Sequence, residues 1–181
     1  MKKLYTTQAS NSYQSLLIDD IREWVPLRSI IHKSARAEET QIKFHFELTN
    51  KKAAKIPDIC TVYNSGIIAF SIELINLILP NSHIAIELIP IQVNGKPWVI
   101  LSCLQSAIDI DIENSQIMRG LSGEIFSITK IRVTDTKARD WEMFTIDGSN
   151  RTQLFVTESF RDRIEKSKLK GITFKEIGEI V

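Results

Sequence analysis

The sequence predicts an α+β protein built mainly from antiparallel sheet, and two observations support this prediction. Apolar and polar residues alternate with period two along several stretches, most clearly at 42–48 and 125–133, as is typical of half-buried strands. The C-terminal stretch, residues 152–181, has an apolar run, a capped helical pattern, a glycine and a second apolar run. The rest of the later half is strand-like, which favours α+β over alternating βα units.

The C-terminal stretch is predicted to form a strand–helix–strand unit. Thr157 stands where a side-chain oxygen can accept a hydrogen bond from the first helical turn. Phe160 and Ile164 form one narrow apolar stripe, so this helix is expected to lie on the surface. Gly171 is expected to take the left-handed conformation that ends the helix, and Ile172 to begin the returning strand.

An earlier stretch, residues 67–93, follows a similar plan. Ser71 stands where Thr157 stands, and residues 72–79 are apolar nearly all round, which predicts a buried helix. Two interpretations are open. Either the chain contains an internal duplication, or any capped strand–helix–strand unit would look like this.

Size and charge limit the classes of protein that the chain can represent. With 181 residues, 43% of them hydrophobic, it suits one domain or two small, closely packed lobes. We expect an N-terminal lobe at 1–97 and a C-terminal lobe at 98–181 within one compact unit. The 23 basic residues nearly balance the 22 acidic ones, so no overall basic field and no direct binding of nucleic acid are expected.

The sequence also predicts a soluble, cytoplasmic protein. Cys60 and Cys103 lie among apolar residues and are expected to be buried free thiols. The first residues, MKKLYTTQASNSY, lack the apolar core of a signal peptide. No apolar run approaches the roughly 18–20 residues of a membrane helix, so no membrane association is predicted.

Acidic and apolar residues alternate at 108–113. In a strand, this pattern would place Asp109, Asp111 and Glu113 along one face at intervals of about 6.5–7 Å. The row fits a solvated strand face, or a surface that binds a basic partner. A Mg²⁺ or Ca²⁺ site is the third interpretation, but the spacing is too long for all three carboxylates to bind one ion.

No motif of known chemistry is present. His32, His45 and His83 are scattered, and the chain has no zinc spacing, GxSxG, Walker A or GxGxxG pattern. We therefore predict no metal, no cofactor, no catalytic residues and no enzymatic activity, although a triad assembled from distant residues stays open. Trp24, just before a proline, is a candidate exposed anchor for a partner.

The stretch LFVTESFRDRIEKSKLKGITF resembles the C-terminal signature of a bacterial family, the MXAN-type immunity proteins of polymorphic toxin systems. In that family a strand leads to a Ser or Thr cap and an amphipathic helix. A Leu-x-Gly-hydrophobic-x-Phe run then closes the domain. The matching positions here are Thr157, Leu169, Gly171, Ile172 and Phe174. Residues 109–115 and the strand-like run at 128–131 also match, whereas the first third of the chain matches only loosely.

The resemblance implies a cytoplasmic protein that neutralises a cognate toxin by stoichiometric binding, the toxin being encoded by an adjacent gene. It carries over no catalytic residue and no cofactor. If the toxin is basic, we expect Asp109, Asp111 and Glu113 to contact it. Two other classes stay open: a structural or adaptor protein with a permanent partner, and a small enzyme of unrecognised class.

Overall fold

The computed structural model describes residues 1–18, 22, 27, 44–49, 55–62, 67–79, 85–121, 123–149, 151 and 153–181. Within this part of the chain the strands are β1 (Lys2–Ala9), β2 (Ser15–Ile18), β3 (Phe44–Thr49), β4 (Ile59–Thr61), β5 (Ile68–Ser71), β6 (Ile86–Val93), β7 (Lys96–Cys103), β8 (Ser106–Ala107), β9 (Gln116–Arg119), β10 (Ile125–Val133), β11 (Met143–Ile146), β12 (Phe155–Thr157) and β13 (Ile172–Ile180). A 3-10 turn, Ile72–Leu74, leads into helix α1 (Ile75–Ile78), and helix α2 spans Glu158–Lys166. A second 3-10 helix covers Thr136–Asp140. The predicted sheet-rich α+β class is confirmed.

The described strands form two sheets. The seven-stranded sheet, here sheet I, has the order β8-β11-β12-β1-β13-β10-β9. The six-stranded sheet, here sheet II, has the order β2-β3-β6-β7-β5-β4. Most neighbours are antiparallel, and the exceptions are β3 with β6, β10 with β13, and β8 with β11.

Neighbouring strands follow the same sequence of parallel and antiparallel pairings over much of both sheets. In sheet II, β5, α1 and β6 form a strand–helix–strand unit whose two parallel strands are separated by the antiparallel strand β7. In sheet I, β12, α2 and β13 form a unit of the same kind, separated by β1. On one side, each unit has an antiparallel neighbour, which is β4 in sheet II and β11 in sheet I. On the other side, a parallel strand is followed by an antiparallel one. These strands are β3 and β2 in sheet II, and β10 and β9 in sheet I.

The sheets divide the chain differently from the lobes expected at 1–97 and 98–181. Position 97 lies inside β7, which pairs along its length with β6. Sheet II uses strands from residues 15–103, whereas sheet I uses strands from residues 106–180 together with β1. The first strand of the chain therefore belongs with the last one, because Lys2 pairs with Ile180 and Ala9 with Ile172.

A central hydrophobic core joins both sheets and both helices. Phe70 and Leu101 from sheet II share it with Val156 from sheet I, Ile78 from α1 and Phe160 from α2. A second cluster covers the other face of sheet II, and a third covers the other face of sheet I. Because each sheet is apolar on both faces, most of its strands carry long runs of apolar residues rather than strict alternation.

Helix α2 has the predicted amphipathic character. Its buried residues are Phe160 and Ile164, and on its outer face Arg161 lies 4.0 Å from Glu165, one helical turn away. The expectation that the first helix is buried is wrong. Ile78 is buried, but Ile72 and Leu77 are 44% and 46% exposed, because a single helical turn presents only a few of its apolar side chains to the core.

The ends of α2 differ from the prediction in detail. Thr157 occupies the N-cap position, but its hydroxyl makes no hydrogen bond to the described helical backbone and lies 2.9 Å from Ser159 Oγ. The helix ends at Lys166, and Lys168 rather than Gly171 takes the left-handed conformation, with φ +56°. Gly171 has φ +121° and passes close to the backbone of Ile59, a contact that sequence spacing could not show.

Candidate partner-binding surface

The acidic row at 108–113 does not form the predicted strand. Strand β8 ends at Ala107, and beyond it Ile110 alone makes an isolated bridge, to Val133. Two of the apolar residues in this alternation, Ile108 and Ile112, are each 65% exposed. The prediction of three carboxylates along one strand face is therefore wrong. The segment runs beside the last residues of β10, where the N–H of Asp111 donates to the carbonyl of Arg132 at 2.9 Å, and then closes in a turn.

Asp111 forms that turn. Its carboxylate accepts hydrogen bonds from the backbone N–H of Asn114 at 3.2 Å and from the Asn114 side-chain amide at 2.8 Å. Its carbonyl accepts the hydroxyl of Ser115, which in turn accepts the backbone N–H of Arg132 at 3.0 Å. Such side-chain bonds compete with strand pairing, which explains why alternation failed as a guide here.

The Asp111 carboxylate already has hydrogen-bond and ion-pair partners within the molecule. The Asn114 side-chain amide, with smaller contributions from neighbouring backbone N–H groups and Arg132, holds the pKa of Asp111 below its ordinary value. Arg132 lies 3.5 Å from Asp111 Oδ2 and 3.4 Å from Glu179 Oε1. Asp111 therefore positions the turn against β10, whereas Asp109 and Glu113 are exposed.

Exposed apolar side chains are concentrated in the residues that follow. We call residues 108–126 the edge segment, of which 122 lies outside the described residues. Nine large hydrophobic residues are exposed in the described part of the chain, and five of them lie in the edge segment: Ile108, Ile112, Met118, Leu121 and Phe126. Scattered apolar residues are normal on a protein surface, whereas a large contiguous apolar patch is typical of an interaction site.

The ribbon formed by β9 and β10 explains part of this exposure. Strand β9 is the last strand of sheet I, and the register with β10 shifts between Ile125 and Ser127. Phe126 follows the buried Ile125 in β10, so alternation along the strand directs its side chain outward, where it is 75% exposed. A shallow groove of about 260 Å³ lies on the ribbon and is lined by Gln116, Ile117, Met118, Ser127 and Thr129.

A second groove, of about 340 Å³, borders the edge segment across β1, β13 and β10. Two of its cationic side chains form ion pairs: Lys3 pairs with Glu176 at 2.9 Å, and Arg132 bridges Glu179 and the neighbouring Asp111. A third, Lys130, also lines the groove and is exposed. Ion pairs exposed to this degree contribute little to stability.

Other sequence candidates lie elsewhere or outside the described residues. Trp24, His32 and His83 are outside the described part of the chain, as is the side chain of His45. Sequence reasoning missed Met118 and Phe126. The available signal was that Phe126 adjoins Ile125 in the strand-like run, so that the two large side chains cannot both face the core.

The described ranges contain neither a metal-binding cluster nor a membrane-spanning helix. No group of three or more His, Cys, Asp or Glu residues there is placed to hold a metal ion. No helix in the same ranges has the length and apolar character that crossing a membrane requires.

Comparison with known protein families and with curated proteins finds no match to this chain. The resemblance to immunity proteins therefore depends on the motifs quoted above.

Proposed function

We propose that this chain is an immunity protein that neutralises a cognate toxin in the cytoplasm of its producer by stoichiometric binding. The observation that carries the binding role is the edge segment, where exposed apolar side chains stand beside exposed carboxylates. Protein interfaces combine apolar anchors with a polar rim in this way. The identity of the partner as a toxin comes from the resemblance of residues 98–174 to the MXAN-type family.

The test is co-expression with the protein encoded immediately upstream. The proposal predicts that the upstream protein alone arrests growth, that this chain restores growth, and that the two proteins purify as a complex of fixed stoichiometry. A toxic neighbour that is neutralised without a complex would favour an enzyme acting on the toxin or its product. A harmless neighbour that forms a permanent complex would favour the adaptor alternative.

We also propose that the two strand–helix–strand units descend from an internal duplication. The shared strand directions support this proposal, with β1 occupying in sheet I the place that β7 occupies in sheet II. Strand β7 follows β6 through the turn at Asn94 and Gly95, whereas β1 reaches the same place from the other end of the chain.

A circular permutant tests this equivalence. Joining Val181 to Met1 through an Asn-Gly turn and opening the chain at the exposed Asn11 would give both units the same strand order along the chain. If β1 is the counterpart of β7, the permutant should fold, with a melting temperature within about 5 °C of the wild type. A permutant that is unfolded would contradict the equivalence. A second permutant, with the same Asn-Gly linker but opened at Gly123, separates the effect of the linker from that of the opening at Asn11.

A further inference from the structure

The edge segment carries an excess of negative charge in a nearly neutral chain. It holds four acidic residues and one basic residue, Arg119, whereas the whole chain has a net charge of +1. Asp111 is committed to an ion pair within the fold, and Arg119 is hydrogen-bonded within its own turn. Asp109 and Glu113 are exposed and make no ion pair among the described residues. Their charges are thus available to a basic partner.

The apolar part of the surface adjoins these carboxylates along the chain. The turn that ends at Ser115 leads directly into β9, where Met118 lines the groove on the ribbon. Phe126 precedes Ser127, which lines the same groove. Large, exposed side chains contact mostly water in the free protein, so truncating them should change its stability little. If a partner covers them, the same truncation should weaken binding.

We infer that the edge segment binds a basic, partly apolar stretch of the toxin, with Asp109 and Glu113 contacting its cationic side chains and Met118 and Phe126 anchoring its apolar ones. Asp111 is a positioning residue that fixes the turn. This inference rests on the proposed immunity function and assigns the surface and the partner chemistry.

The experiment measures binding of the purified upstream-encoded protein to the full chain by surface plasmon resonance at low and moderate salt. Two double variants probe the surface: Asp109→Asn with Glu113→Gln, and Met118→Ala with Phe126→Ala. The matched control is Ile72→Ala with Glu73→Gln, an exposed Ile-Glu pair on a different element. Melting temperatures should stay within about 2 °C of the wild type for all three, because these side chains are exposed.

The charge variant should lower the association rate about tenfold at low salt and flatten its dependence on salt concentration, because steering by charge is lost. The apolar variant should raise the Kd by about 10- to 100-fold, mainly through faster dissociation. The control should bind as the wild type does. If the wild type binds the upstream-encoded protein and both surface variants bind it equally well, this inference would be overturned, whereas the proposed immunity function would not be. No binding by the wild type would overturn both.

Discussion

The loop after α2 is hydrogen-bonded to both sheets, and replacing Gly171 with alanine tests how much this connection stabilises the fold. The carbonyl of Lys170 accepts the backbone N–H groups of Asp58 and Ile59, at 2.8 and 3.0 Å. The carbonyl of Gly171 accepts the N–H of Ser10 at 3.0 Å. One short loop therefore holds the entry to β4 in sheet II and the exit from β1 in sheet I.

A Cβ atom has no room at Gly171. It would lie 2.1 Å from the carbonyl oxygen of Ile59 and 2.5 Å from the Cβ of Pro57. The backbone at Ile59 is held by pairing with Phe70 and by the Lys170 carbonyl, so it cannot move away without breaking hydrogen bonds. At φ +121° the backbone itself is also strained for alanine.

These two effects set the expected magnitude. A non-glycine residue at such a backbone conformation costs about 1–3 kcal/mol, and forced overlap with packed neighbours costs about 1–3 kcal/mol more. The expected loss of about 2–6 kcal/mol is a large fraction of the roughly 5–15 kcal/mol by which a domain of this kind is stable.

The matched control is Gly148→Ala. Gly148 has φ +75°, but an added Cβ there would meet nothing within 4 Å, so only the backbone cost of about 1–2 kcal/mol applies. Urea denaturation followed by circular dichroism gives both free energies of unfolding. Equal destabilisation by the two substitutions would refute the overlap argument, because only the Cβ added at Gly171 meets Ile59 and Pro57.

Three further outcomes follow from the structure. The pKa of Asp111 is lower in the folded protein than its ordinary value of 3.8, so the charged carboxylate stabilises the fold fully above pH 3.8. This stabilisation should be lost as the pH falls through the folded pKa. The melting temperatures of the wild type and Asp111→Asn should therefore converge at that low pH. Burial raises the pKa of the Cys60 thiol to about 12 and that of Cys103 to about 11, so N-ethylmaleimide at pH 8 should label them slowly in the native protein and rapidly in urea; rapid native labelling would contradict their burial. Phe160→Ala should cost about 3–5 kcal/mol of unfolding free energy and Phe126→Ala less than about 0.5 kcal/mol, and denaturation curves that rank them otherwise would contradict the core assignment.

Local patterns predicted the elements whose packing is simple. Alternation located β10, and the spacing of Phe160 and Ile164 located the buried stripe of α2. The pairing of β1 with β13 could not be predicted, because it joins residues more than 160 positions apart and no local pattern encodes that contact.

The candidate site was predicted only in part. The alternation at 108–113 lies within the proposed edge segment but predicted the wrong conformation, because Asn114 and Ser115 bind Asp111 and close a turn. The exposure of Phe126 follows from its alternation with Ile125, which the sequence contains. The exposure of Met118 depends on the position of β9 at the edge of sheet I, which is a property of the assembled sheet and not of sequence periodicity.

Isothermal titration of this chain with the purified upstream-encoded protein tests the immunity function most directly. We expect saturable binding at a fixed ratio of one to one, with a negative heat-capacity change on binding, because the toxin would bury apolar side chains of the edge segment. The absence of binding at micromolar concentrations, with the upstream protein still neutralised in cells, would contradict stoichiometric inhibition.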